Sequence, residues 1–347
     1  MYFDPAVSLA GLLVGFVIGL TGMGGGALMT PVLVLVFGVQ PLAAVSSDLV
    51  ASLVMKPFGS AVHMRRRTVD WGLVRWLALG AVPSAFAGVL VIRLLGRGTD
   101  VQHLVTVSLG VALLIAAVAM VARLLLDSAG ARREAPEGPV AVRRLPTVLT
   151  GILGGLLVGM TSTGSGTVII VCLTLIYPLL PLRRLVGTDL VQAVPLVGAA
   201  ALGHLLFGDF QLGLTTSLLV GAIPGVLLGA RLSSRAPDLL VRPALVFVLT
   251  GTALKLLGAS TPTLGLTLLL LALVGLPAWA LFDAGRQARS GWASAGVDRG
   301  RMLALQAVGL LLGLGPVVAA VYFARVRPRL RAAAEVRPPL AALEPVS

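Results

Sequence analysis

The chain reads as an all-α polytopic membrane protein built from two inverted repeats. Each repeat is expected to be a glycine-broken re-entrant helix pair followed by about three spanning helices, with a helical extension at the C-terminus. Three observations predict this. Hydrophobic residues make up 57% of 347 positions and charged ones 12%, with a mean hydropathy of +0.99, more apolar surface than a water-soluble domain can bury. Clustered glycines interrupt two of the longest apolar runs. The two halves match each other at fixed spacing but carry their arginines in opposite loops.

Apolar runs of about 18 residues or more can cross a bilayer. They fall at about 7–37, 42–62, 72–92, 103–122, 148–180, 185–207, 212–230, 240–257, 263–282 and 302–323. This predicts a first transmembrane repeat over 1–126, a cytoplasmic linker over 127–147 and a second repeat over 148–258. Additional transmembrane helices follow over 259–324, and a basic, disordered tail over 325–347. The linker DSAGARREAPEGPVAVRRLPT has the Pro, Gly and Arg content of unfolded chain. No Lys or Arg precedes Lys56, so the first apolar run lacks the basic start of a cleaved signal and is read as retained.

GLLVGFVIGLTGMGGG at 11–26 lies over GILGGLLVGMTSTGSG at 151–166, pairing Gly11, Gly15, Gly19, Thr21, Gly24 and Gly26 with Gly151, Gly155, Gly159, Thr161, Gly164 and Gly166, each 140 residues on. With one inserted residue the register continues through Asp48 and Asp189, His63 and His204, Gly80 and Gly221, Pro83 and Pro224, and Gly88 and Gly229. Chance identity in apolar sequence favours Leu, Val and Ala, so paired Asp, His and Pro identify copies of one unit. Arg65, Arg66, Arg67 and Arg75 mark the 63–75 loop as cytoplasmic, whereas the matching 208–211 loop has no basic residue. Arg183 and Arg184 stand opposite the uncharged 38–41 turn. Copies facing opposite ways satisfy the cytoplasmic bias of Lys and Arg, and inversion requires an odd number of full crossings per copy.

An odd count follows only if 7–37 enters and leaves by the same face. A run of about 31 residues suits two half-helices joined near mid-depth, and non-helical backbone there must be covered by protein or line a wet cavity. Gly22, Gly24, Gly25 and Gly26, with Gly164 and Gly166, permit the turn. Second half-helices starting near Ala27 and Thr167 would aim bare N–H groups at the middle of the membrane, where Thr21, Thr161, Ser162, Thr163 and Ser165 add neutral donors. Such a place can hold a small oxyanion without a fixed buried cation. Gly11, Gly15 and Gly19, and Gly151, Gly155 and Gly159, have the four-residue spacing of close helix packing.

Charged groups at membrane depth are candidates for function. Ser47, Asp48 and Lys56 in the first copy, and Thr188, Asp189 and Gln192 in the second, are read as substrate or coupling contacts, with structural pairing of the aspartates equally open. Lys255, three residues before Gly258, is expected to snorkel. His63 and His204 are expected at opposite membrane faces, in interfacial hydrogen bonds or as proton relays. They cannot share a metal, and Cys172 is the only cysteine, so neither a metal site nor any other cofactor is expected. The net charge of +13 resides in short loops without stacking aromatics, which argues for a bilayer partner and against nucleic acid.

GFVIGLTGMGGGALMTPVLVLVFGVQPLAAVSSDLVAS, the following HMRRRTVDW, VGTDLVQA and GAIPGVLLGA resemble the sulfite exporter TauE/SafE family over about residues 7–257. The resemblance implies a multi-pass permease of the plasma (inner) membrane that moves small, often sulfur-containing anions such as sulfite or organosulfonates, commonly outward. Two features depart from the pattern: TSTGSG puts Ser162 and Ser165 where the first copy has glycines, and the region beyond 258 is extra. A secondary transporter leads the alternatives, with a passive anion channel, a non-transporting scaffold or sensor and, last, an intramembrane enzyme behind it. No set of residues matches a catalytic constellation. Homo-oligomerisation stays open.

Overall fold

A computed structural model describes residues 3–21, 25–94, 96, 98–128, 140–180, 182–232, 238–287, 289–311 and 314–330. Among the described residues the chain is mainly helical with no strands, and seven helices are long and apolar enough to cross a membrane. Large apolar side chains, among them Leu9, Leu13, Leu79, Val118 and Val220, face outward, as a lipid solvent permits. Two compact units divide the chain, one of residues 1–125 and 131–259, the other of 126–130 and 260–347.

Among the described residues the first unit holds ten α-helices. They are α1 (Pro5–Thr21), α2 (Met29–Leu35), α3 (Pro41–Arg65), α4 (Trp71–Leu94), α5 (Thr99–Ser128), α6 (Arg144–Thr161), α7 (Val168–Ile176), α8 (Leu182–Phe207), α9 (Leu212–Leu232) and α10 (Asp238–Leu256). Both long apolar runs break at their glycines, into α1 and α2, and into α6 and α7. The arms are unequal. At 18 residues α6 is long enough to count among the spanning helices, whereas α7 has nine residues and α2 seven.

Hydrogen bonds between helix ends tie the unit together in two groups. Asp4 N–H donates to Ser217 Oγ at 3.0 Å, and the N–H groups of Asp209 and Gln211 donate to Ser46 and Ser47 Oγ at 3.3 and 3.4 Å. The starts of α1, α3 and α9 therefore sit side by side, next to the end of α2, which precedes α3 by five residues. In the second group Asp70 N–H donates to Thr188 Oγ1 at 3.0 Å and the Asp70 carboxylate pairs with Arg184 at 3.0 Å. Tyr177, which ends α7, places its hydroxyl 2.6 Å from Thr147 Oγ1 in the first turn of α6. α3 runs from one group to the other.

Glycines let backbones touch where α1 meets α9 and α4 meets α6. A Cβ on Gly11, Gly15 or Gly19 would meet the backbone of Leu218, Ala222 or Val226, and one on Gly221, Gly225 or Gly229 that of Ser8, Leu12 or Phe16. Gly80 and Gly88 meet Val148 and Leu156, and Gly151 and Gly159 meet Leu77 and Ala85. The order of contacts ascends on both partners, so each pair runs parallel. Close packing replaces the hydrophobic effect in lipid. Gly221→Ala should therefore lower stability in detergent by about 1–3 kcal/mol. Gly265→Ala, at a position with open space around it, should leave the thermal midpoint where it is, and equal losses in the two would count against the interface.

In the second unit one apolar stretch, Thr261–Gly285, is long enough to span. It comprises α11 (Thr261–Leu270), a π turn at Leu271–Gly275 and α12 (Leu276–Arg286), and is followed by α13 (Arg289–Ser294), α14 (Arg299–Leu311) and α15 (Gly315–Val321). The sequence leaves open whether the final apolar run over 302–323 crosses the membrane. The run breaks between α14 and α15, and Gly309 lies against Val318 and Gly315. Nine residues of unbroken helix would separate Gly309 from Val318 by about 13 Å, so the run folds back on itself. Its end is held by Arg327, paired with the buried Asp283 carboxylate at 2.7 Å, and by Tyr322, whose hydroxyl donates to the same group at 2.7 Å.

Candidate functional site

The two broken segments meet. Thr163 Oγ1 donates to the Gly26 carbonyl at 3.0 Å, and a Cβ on Gly26 would collide with the backbone carbonyl of Ser162. The second turn uses left-handed backbone, with φ of +60° at Ser162, +138° at Gly164 and +86° at Gly166. Serine in that conformation costs about 1–2 kcal/mol. Its hydroxyl donates to Asp48 Oδ2 at 2.7 Å, a bond that glycine, the residue at the matching position 22, has no atom to make.

Asp48 is fully buried on α3. Thr30, in the first turn of α2, donates to the same Oδ2 at 2.9 Å. The other oxygen, Oδ1, is buried and accepts no hydrogen bond among the described residues. Two turns further along α3, Lys56 Nζ donates to Ser165 Oγ at 2.6 Å, in the middle of the second glycine turn. Its ammonium lies within the fields of both Asp48 and Asp189. Asp189, buried on α8, accepts from Gln192 Nε2 at 3.0 Å. Thr167 Oγ1 and Gln192 Oε1 are also buried without a hydrogen bond among the described residues.

Of the residues singled out in the sequence, Gly26, Ser162, Thr163, Ser165, Asp48 and Lys56 come together. Thr161 turns back into its own helix, donating to Leu157 O at 2.6 Å and accepting from Thr163 N–H at 3.2 Å. Ser47 and Thr188 hold the N–H groups of Gln211 and Asp70 at the helix-end groups, away from the turns. Gly22 and Gly24 lie outside the described residues, as do the side chain of Thr21 and the surroundings of Gly25.

Two expectations change. The N–H groups of Val168 and Ile169, expected bare, point at the Gly164 carbonyl at 3.1 and 3.4 Å because the turn curls back under α7. The site also contains a fixed cation, since two turns of α3 carry Lys56 from the level of Asp48 to Ser165. His204 differs from the interfacial reading as well, whereas His63 lies at the loop end of α3. His204 is fully buried, its Nε2 donating to the Gly159 carbonyl at 2.8 Å and its Nδ1 2.8 Å from Ser46 Oγ. His63 pairs with Thr68 Oγ1 at 2.9 Å. Lys255 is exposed. Thr30 and Ser46 were not anticipated; Thr30 was legible only as a lone hydroxyl before Pro31 in an apolar run.

At the start of α3 a recess of about 1090 Å³ opens between Leu42, Arg93, Gln102, Phe207 and Asp209. The Arg93 guanidinium stacks 4.0 Å over the Phe207 ring.

A bundle of apolar helices with charged and hydroxyl groups gathered where two broken helices meet defines a polytopic integral membrane protein of the kind that passes solutes. The chain belongs to the sulfite exporter TauE/SafE family, whose profile matches residues 7–256. It is 37% identical over 231 residues to "Probable membrane transporter protein YjnA" of Bacillus subtilis (strain 168), covering 66% of this chain and 90% of that one. It is also 23% identical over 239 residues to "Probable membrane transporter protein YdhB" of the same organism, covering 69% and 94%. The chain is a membrane transporter. No solved structure matches it.

Proposed function

We propose that this chain is a secondary transporter that exports a small oxyanion, sulfur-containing in the manner of sulfite or an organosulfonate, by alternating access around the two glycine turns. The observation that carries the reading is Lys56 on Ser165, beside the contact of Gly26 with Ser162 and Thr163. An ammonium, several hydroxyls and close-packed backbone together suit a compact anion with oxygen atoms around its centre.

The reading of two inverted copies is supported by the helix-end groups, since α1 and α2 begin and end at one group and α6 and α7 at the other. From Thr147 to Thr161 α6 rises about 21 Å, half the thickness of a bilayer with its headgroups. Arg65, Arg66, Arg67, Arg143 and Arg184 gather with the second group, which the positive bias makes cytoplasmic. The recess beside Arg93 then faces outward. We assign this orientation to the plasma (inner) membrane.

The test is uptake of labelled sulfite, methanesulfonate and sulfate by proteoliposomes. The expected result is saturable flux that trans anion accelerates, as a carrier requires and a passive channel does not. Absence of flux for all three would end the proposal.

A further inference from the structure

We infer that Asp48 carries a proton that binds and leaves together with the anion, making the transporter a proton–anion cotransporter. The inference rests on the anion site proposed above and adds its coupling ion. It starts from charge. Among the described residues the ionisable groups at the turns are the buried Asp48 and Asp189 and the half-buried Lys56, so with both carboxylates ionised the site carries one negative charge in excess. An entering monoanion would raise that to two in a region where charge is poorly screened. One proton arriving with the anion leaves the total unchanged through the cycle.

Geometry selects which carboxylate takes it. Asp48 Oδ2 accepts from Thr30 and Ser162 and the buried Ser52 hydroxyl lies beside the carboxylate, while Oδ1 is buried and is met by no hydrogen bond of good geometry among the described residues. A buried ionised oxygen without a donor is costly. A proton on Oδ1 removes that cost and turns the atom into a donor for an anion oxygen. Without the proton, Oδ1 repels the same oxygen. Asp189 by contrast accepts from Gln192.

The charged and titratable groups around Asp48 can be named element by element. Lys56 stands on its own helix, α3. α8 presents Asp189, and it presents His204 to the end of α6 through the Gly159 carbonyl. α2 has no ionisable residue, while α6 and α7 contain only Arg144, at the far end of α6 from the turn, and Cys172, one turn into α7. The proton comes from solvent on the side from which the anion enters and is released where the anion leaves. Protons and anion therefore move in the same direction, and export of a monoanion runs down its own gradient against the pH difference.

Methanesulfonate and sulfate suit the test because neither gains or loses a proton near neutral pH. Adding methanesulfonate to purified protein in weakly buffered solution should draw protons from the medium, read with a pH indicator, and its apparent affinity should fall about tenfold per pH unit at high pH. Asp48→Asn keeps an oxygen for Thr30 and Ser162 and puts an amide donor where the protonated oxygen was. Its binding of methanesulfonate should take up no protons and should no longer depend on pH, and it should lose accumulation driven by a pH gradient. Binding by the unmodified protein without proton uptake overturns the inference whatever the variant does, and so does gradient-driven accumulation by Asp48→Asn. A chain that exchanges neither methanesulfonate nor sulfate overturns the anion site first and the inference with it.

Discussion

Gly26→Ala should reduce anion flux at least tenfold while the protein still inserts and folds. The added methyl would enter the space of the Ser162 carbonyl and come within 2.7 Å of Ser162 Oγ. The obstacle is backbone, which cannot rotate aside as a flexible side chain would. Overpacking of this kind costs about 1–3 kcal/mol, and relief must separate the two turns. That separation pulls Ser162 from Asp48 and Thr163 from the Gly26 carbonyl, dismantling the contacts that join the broken helices. Gly59→Ala is the control, on the same helix as Lys56 but with open space around it, and should transport as the parent does. Flux per inserted molecule in proteoliposomes decides. Unimpaired Gly26→Ala would show that the meeting of the turns has no part in transport.

Lys56→Met should weaken anion binding on the order of a hundredfold, as expected for loss of a unit charge about 6 Å away at an effective dielectric constant near 20. The methionine keeps the length and apolar stem of the side chain but leaves Asp48 and Asp189 without their counter-charge. Lys56→Arg retains the charge with a different donor geometry and should fall between the two. The readouts are the concentration of methanesulfonate that half-saturates flux and the thermal stabilisation it produces. An unchanged half-saturation in Lys56→Met would remove the ammonium from the binding site and leave the anion to the hydroxyls alone.

Much of the architecture could be read before any coordinates. Breaks at Gly25 and Gly26 and at Gly164 and Gly166 followed from glycine's cost in helix interiors. The helices after each break came from apolar runs of spanning length, and each repeat was detectable because Asp, His and Pro recur at one spacing. The packing of Gly11, Gly15 and Gly19 against another helix was legible too, although the identity of that helix as α9 was not. Whether the last apolar run crosses was left open by the sequence: residues 302–323 have the composition of a span, and the contact of Gly309 with Val318 and Gly315 is visible only in the structure.

The candidate site was legible as residue types and not as partnerships. Ser47 and Asp48 are neighbours in sequence and equally buried, yet successive helical residues point about 100° apart, so one caps the start of α9 while the other faces Ser162. Lys56 had no matching lysine in the second copy, and only the crossing of α3 over the second turn brings it to Ser165. Ser162 departs from the repeat because it answers a carboxylate 114 positions away.

The amino-acid order by itself determined that this chain lives in lipid and where its helices must break. Those properties depend on local composition and backbone conformational cost. Which buried charge faces which hydroxyl, whether a helix start keeps its amides free, and that a lysine attends the glycine turn were decided only by tertiary structure. Each depends on the crossing of segments more than a hundred residues apart, where a rotation of one helix by a single residue changes every partner.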